Sequence, residues 1–157
     1  MDGTLSLADE TRKAFVEAAD FFRISSPLFC RIVTDCQVDS DIVELCAATR
    51  PGQQAGILLM CVVHYLVLKS PQSPLARYFP SLTDKPEPAA EVFPVFRQFC
   101  LEHRDEVAEL LSWRTVNTNL AEKGASLLPA MAHVARLAGE PLTLVEICCS
   151  SGLNTRK

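Results

Sequence analysis

The residues best suited to chemistry lie near the end of the chain, in the segment LVEICCSSGLN. An apolar run with a strand pattern leads there into Glu146, and a loop of small residues follows. In an open α/β sheet, a strand presents its ligand loop at its carboxyl end, and the next helix adds free N–H groups. An acidic side chain at that point accepts hydrogen bonds from a ligand amine or hydroxyl. The pattern is consistent with a cofactor loop, but on the pattern alone an ordinary turn after a buried strand is the favoured interpretation.

The spacing within this loop narrows the class of cofactor. Positions two, four and six after Glu146 are Cys148, Ser150 and Gly152. This two-residue spacing resembles the first motif of S-adenosylmethionine-dependent methyltransferases, in which glycines usually occupy those positions. Gly152 is the glycine that this chain retains, and a side chain stands at the other two positions.

A second polar stretch, RTVNTN, lies between two apolar segments. One hypothesis is that Asn117 and Asn119 hydrogen-bond a ligand held above the Glu146 loop. The alternative is a helix-capping loop, in which Thr118 or Asn119 accepts from the backbone at the start of the next helix.

Four segments occur in a characteristic order, namely SPLFCRIVTD, GILLMCVVHYLVL, NTNLAEKGASLLPAM and LVEICCSSGLN. Together they resemble the amino-terminal half of a bacterial family catalogued as domain of unknown function 2332. Its members typically have a Gln-Thr-Asn-Glu stretch, a Leu-Leu-Pro and an acidic-x-Gly-x-Ser-x-Gly-Leu-Asn loop. The resemblance implies methyltransferase-like character. It places the cofactor-binding positions at Asn117, Asn119, Glu146, Ser150, Gly152 and Asn154.

Helical periodicity dominates the first 138 residues. Residues 53–68 contain no formal charge, which predicts a helix buried in the middle of a domain. A loop with five prolines follows, over residues 69–88, and is either a linker or a loop wrapping the domain. The helices are predicted at residues 5–24, 27–36, 41–49, 53–68, 89–103, 104–113 and 119–137, and a strand at residues 142–147. Three of these boundaries have recognisable caps: Ser26 followed by Pro27 starts the second helix, Asp39 or Ser40 caps the third, and Gly139 ends the last.

The predicted fold is mainly α, an irregular helical bundle of about six helices with a single C-terminal β-strand. Residues 1–139 form the helical domain, and residues 140–157 form the first strand and loop of an incomplete, Rossmann-like α/β domain. A doubly wound cofactor domain needs several parallel strands joined by helical crossovers. We therefore expect this chain alone to hold no cofactor and to catalyse no methyl transfer.

The leading functional prediction is a non-catalytic helical cap or association domain from a methyltransferase-like protein. The alternative is an S-adenosylmethionine-binding methyltransferase whose cofactor domain is completed by further sequence or by another subunit. An isolated strand from Leu142 to Ile147 leaves backbone groups unpaired on both edges. It is therefore expected to pack against the helices or to pair with a second copy, which predicts self-association.

Composition excludes several other classes of protein. The net charge is −4 and no cluster of Lys and Arg occurs, so nucleic-acid binding is not expected. The most apolar stretch, residues 56–68, is shorter than the roughly 20 residues of a membrane span. The N-terminus lacks the pattern of a secretory signal, which predicts a cytoplasmic protein with reduced thiols.

The seven cysteines and His64 are further candidates for site residues. Cys61 and His64 lie three residues apart, but on an apolar helix rather than on the short loops that zinc sites favour, so no metal site is predicted. A Cys–His nucleophilic pair needs an activated thiolate, and nothing local indicates one. We interpret His64 as a core or groove histidine with a hydrogen-bond partner.

Overall fold

The computed structural model describes residues 6–116, 123–143 and 145. The chain divides into two compact units, residues 1–116 and 117–157, and each is described by itself. The domain boundary predicted at residues 139–140 stays a prediction. The first unit contains α1 (Leu7–Ser25), α2 (Pro27–Cys36), α3 (Ser40–Cys46), α4 (Ala55–Lys69), α5 (Val92–Glu102) and α6 (Arg104–Trp113), with short 3-10 helices at Pro74–Tyr78 and Ala89–Glu91.

The junction of α1 and α2 is built by Ser26 and Pro27. The Ser26 N–H donates to the carbonyl of Phe22, which ends α1, and the Ser26 hydroxyl accepts from the N–H of Phe29, which starts α2. Pro27 occupies the first position of α2, where its missing N–H has no helical partner to lose. This confirms the prediction of a cap followed by proline.

The helix α4 is the centre of the first unit. It contacts α1, α3, α6 and the 3-10 helix Pro74–Tyr78, and most of its residues are buried. This confirms the prediction of a buried, charge-free helix, because a helix that is apolar on several sides needs neighbours on several sides.

Asp39 links the start of α3 to α5. Its carboxylate accepts from the N–H of Ile42 at 3.0 Å, which caps α3, and from Nε of Arg97 at 2.8 Å. Arg97 also hydrogen-bonds Asp41 in the first turn of α3. The cap that the sequence predicted therefore also connects two helices.

The proline-containing loop after α4 packs onto the first unit, so of the two interpretations the wrapping loop is confirmed and the linker is wrong. Leu75 and Phe79 are buried, and the N–H of Glu87 donates to the carbonyl of Arg77 at 3.0 Å. The loop contains little regular structure, and the burial of these apolar side chains holds it on the first unit.

The second unit contains α7 (Lys123–Ala138), with Pro129 inside the helix. The helix ends at Gly139, whose φ of 67° is the left-handed conformation that favours glycine, as predicted for a C-terminal cap. The predicted strand at residues 142–147 is not supported, since residues 141–143 and 145 are irregular and the rest lie outside the described residues. Among the described residues there is also no strand with which it could pair.

Candidate functional site

A groove of about 410 Å³ opens in the first unit, where the junction of α1 and α2 faces α4 and the loop that follows it. Its walls are mostly apolar and include three prolines and several aromatic rings. The lining residues are Ser25, Ser26, Pro27, Leu28, Phe29, His64, Tyr78, Phe79, Pro80, Ser81, Pro86, Glu87 and Ala89.

His64 and Ser81 form a hydrogen-bonded pair in this groove. The His64 Nε2 atom lies 2.8 Å from the Ser81 Oγ atom. The imidazole stacks on Phe79, with ring centroids 5.0 Å apart and planes at 21°, and meets Phe29 edge to face at 6.1 Å. The prediction that His64 is a groove histidine with a hydrogen-bond partner is therefore confirmed.

The protonation state of His64 follows from its surroundings. Burial lowers the pKa of His64 below its ordinary value, because the charged imidazolium loses hydration there. At neutral pH the ring is therefore neutral. In the tautomer with its proton on Nδ1, Nε2 accepts the hydrogen bond that the Ser81 hydroxyl donates.

The groove is also lined by Glu87 and Tyr78. The Glu87 carboxylate pairs with Arg77, with Oε1 and Nη1 3.2 Å apart. Burial, and then the hydrogen bond and charge of Glu87, raise the pKa of Tyr78. The phenol therefore stays protonated at neutral pH, and Glu87 is the acidic group of the groove.

The N-terminus of α2 also faces the groove through Ser26, Pro27 and Leu28. The N–H of Leu28 lies in the first turn, for which a helix supplies no acceptor of its own. The positive end of the helix dipole therefore favours partial negative charge in this part of the groove.

The cofactor-binding residues that the sequence predicts are not among the residues that the structure describes. These residues are Asn117, Asn119, Glu146, Ser150, Gly152 and Asn154. Their role in binding S-adenosylmethionine stays a prediction. Sequence reasoning missed Ser81, Phe79 and Glu87, and the available signal was a histidine inside an apolar helix followed by a loop rich in proline.

Comparison with known proteins gives one result. A family model described as "Uncharacterized protein conserved in bacteria (DUF2332)" matches residues 12–157. The chain belongs to this family. The resemblance inferred from the four sequence segments is therefore confirmed. No curated protein and no solved structure matches the chain.

Three cysteines of this DUF2332 protein, Cys36, Cys46 and Cys100, lie in the core of the first unit. Burial raises the pKa of Cys46 to about 12 and also raises the pKa values of the other two. These thiols are therefore protonated and behave as small apolar side chains.

Within residues 6–116, 123–143 and 145, no group of three or more His, Cys, Asp or Glu side chains is arranged to hold a metal ion.

No helix in the described part of the chain is long and apolar enough to cross a membrane. A cytoplasmic location, the lack of nucleic-acid binding and self-association through residues 142–147 stay predictions.

Proposed function

We propose that the helical unit of this DUF2332 protein is a ligand-binding cap domain and that the groove beside His64 is its binding site. The supporting observation is the groove itself, at about 410 Å³. Sites for small molecules commonly measure roughly 300–1,000 Å³, with apolar walls and a few convergent polar groups. The groove meets each of these criteria.

The walls and the polar groups indicate the kind of ligand. Phe29, which is partly exposed, and Pro27, which is exposed, offer apolar surface to a compact, uncharged ligand with one or two rings. His64 and Ser81 offer hydrogen-bonding atoms on one side. We therefore expect a neutral, mainly apolar small molecule with a carbonyl or hydroxyl group.

The test uses N-phenyl-1-naphthylamine, a neutral fluorophore that brightens in apolar sites. Ala89 lines the groove, whereas the neighbouring Ala90 does not and is exposed. Ala89→Trp should fill the groove and weaken binding by at least about tenfold, or about 1.4 kcal/mol. The matched control, Ala90→Trp, should bind as the natural chain does.

Two results would contradict this proposal. The first is the absence of a saturable fluorescence increase with the natural chain. The second is equal binding by the Ala89→Trp and Ala90→Trp variants, because the dye would then bind elsewhere.

The second candidate function is binding of S-adenosylmethionine at the loop from Glu146 to Asn154. The support is the methyltransferase-like spacing of that loop, together with the family match that extends through it. A ligand at a hundred times its dissociation constant adds about 2.7 kcal/mol to folding stability. S-adenosylhomocysteine should therefore raise the melting temperature, and Glu146→Ala should reduce the rise. An unchanged melting temperature at millimolar ligand would remove the support for this candidate.

A further inference from the structure

We propose that Ser81 and His64 are a nucleophile and its general base, which together take the acyl group from a small apolar ester bound in the groove. This inference rests on the proposed function of the groove, to which it adds a substrate class and a reaction. It departs from the non-catalytic function that the sequence predicts.

The distance between the two side chains supports the pairing. A general base must lie within about 2.6–3.2 Å of the heavy atom whose proton it takes. The separation of His64 Nε2 and Ser81 Oγ is 2.8 Å. Ser81 is exposed and lines the groove, so an ester carbonyl can reach its hydroxyl.

The surroundings of His64 suit the role of base. Phe79 and Phe29 hold the ring on two sides, and burial lowers its pKa, so it is neutral and able to accept a proton at neutral pH. The ionisable groups that share the groove are Glu87, which is paired with Arg77, and Tyr78, whose pKa is raised. At neutral pH, Tyr78 is uncharged and the Glu87 charge is partly balanced by Arg77.

The reaction follows from these positions. The Ser81 Oγ atom forms a bond to the ester carbonyl carbon while its proton moves to His64 Nε2. The bond from that carbon to the alcohol oxygen then breaks, and the imidazolium returns the proton to the leaving oxygen. The products are acyl-Ser81 and a free alcohol. Water repeats the sequence and releases the carboxylic acid, so nothing is oxidised or reduced.

The start of α2 supports the negative charge that forms on the carbonyl oxygen. Its first-turn residues Pro27 and Leu28 line the same groove, and the helix has ten residues. A helix N-terminus stabilises a developing anion. Apart from the Ser81 hydroxyl, the contacts described around the imidazole are aromatic, whereas the histidine of a Ser–His–Asp triad also contacts a carboxylate. We therefore expect slow turnover and choose covalent labelling as the measurement.

The experiment treats the full chain with a fluorophosphonate probe, which forms a stable bond with activated serines, and maps the modified peptide by mass spectrometry. Ser81→Ala should lose the label. His64→Phe retains an aromatic ring against Phe79 but no base, so labelling should slow by about 10²–10⁴-fold. Ser112→Ala, at an exposed serine outside the groove, is the control and should label at the natural rate. The circular dichroism spectrum checks that each variant is folded.

The pH profile is a further readout that a structural hydrogen bond would not produce. The labelling rate should rise with pH to a plateau, with a midpoint below the ordinary histidine value of about 6.5. A flat profile would overturn the role of His64.

The outcomes also separate this inference from the proposed function. Binding of N-phenyl-1-naphthylamine without labelling of Ser81, or equal labelling of the His64→Phe variant, would overturn the nucleophile–base pair and leave the binding site in place. Failure of both dye binding and labelling would overturn both proposals. Labelling at Ser81 that depends on His64, together with dye binding, would support both.

Discussion

His64 and Phe79 stack face to face, with ring centroids 5.0 Å apart and planes at 21°. Phe79 is 2% exposed, so one face of the imidazole rests on the core of the first unit. The walls of the groove are mostly apolar, and the hydrogen-bonded pair of His64 and Ser81 is a polar point within them. The stacking contact with Phe79 determines where Nε2 points, because it fixes the plane of the ring.

Replacing Phe79 with leucine should loosen the imidazole while keeping an apolar side chain in the core. We expect a loss of about 1–2 kcal/mol in the free energy of unfolding, from the lost aromatic pair and the lost volume. Urea denaturation measures it. The control is Phe21→Leu, at a side chain that is 58% exposed, which should change stability by less than about 0.5 kcal/mol. Equal losses for the two variants would contradict a special role for the stack.

The lowered pKa of His64 predicts a pH dependence of stability. The unfolded chain, with histidine at its ordinary pKa of about 6.5, binds more protons than the folded chain between that value and the lowered one. The contribution of His64 is therefore fully present above pH 6.5 and is lost as the pH falls through that window. In His64→Phe, the free energy of unfolding should fall less between about pH 7 and pH 5 than in the natural chain. Identical pH profiles would show that His64 titrates alike in both states.

Local signals in the sequence were sufficient for most of the helices. Ser26 and Pro27 predicted the start of α2, and the absence of charge in residues 53–68 predicted the central helix. Each of these features is contained within a few turns of chain, so it can be recognised without knowing the fold. The predicted strand is the counterexample, because strand pairing depends on a partner elsewhere.

The groove could not be predicted in the same way. His64 and Ser81 are seventeen residues apart, and a loop with no periodic pattern brings them together. The sequence indicated that His64 would have a partner, but only the path of the loop determines that the partner is Ser81. The Glu146 loop had the stronger sequence pattern, and it lies outside the described residues.

Asp39 should contribute to stability both through its cap and through its charge. Asp39→Ala removes the acceptor for the Ile42 N–H, which costs about 1 kcal/mol for a typical N-cap, and also removes the partner of Arg97. Asp39→Asn keeps a capping oxygen and removes only the charge. Thermal unfolding should therefore rank the natural chain above Asp39→Asn, and Asp39→Asn above Asp39→Ala. Equal melting temperatures for the two variants would show that the cap adds nothing.

Gly56 of α4 packs directly against Ala18 of α1. A Cβ atom built on Gly56 would lie 2.7 Å from the Ala18 Cβ and 2.9 Å from the Ala14 carbonyl oxygen, distances that real Cβ atoms essentially never show. Alanine favours helices over glycine by about 1 kcal/mol, so propensity alone predicts that Gly56→Ala is stabilising. The steric overlap should lower the free energy of unfolding by about 1–3 kcal/mol, because the two helix backbones must move apart. We expect the overlap to dominate.

A double-mutant cycle checks this explanation of Gly56. Ala18→Gly removes one of the two closest contacts and, alone, should cost about 1 kcal/mol of helix propensity. Combined with Gly56→Ala, it should cost less than the sum of the single changes, because the new methyl group gains space. Rescue should be partial, since the Ala14 carbonyl remains in place. Urea denaturation of the four chains gives the coupling energy, and strictly additive losses would mean that the two helices do not meet at these residues.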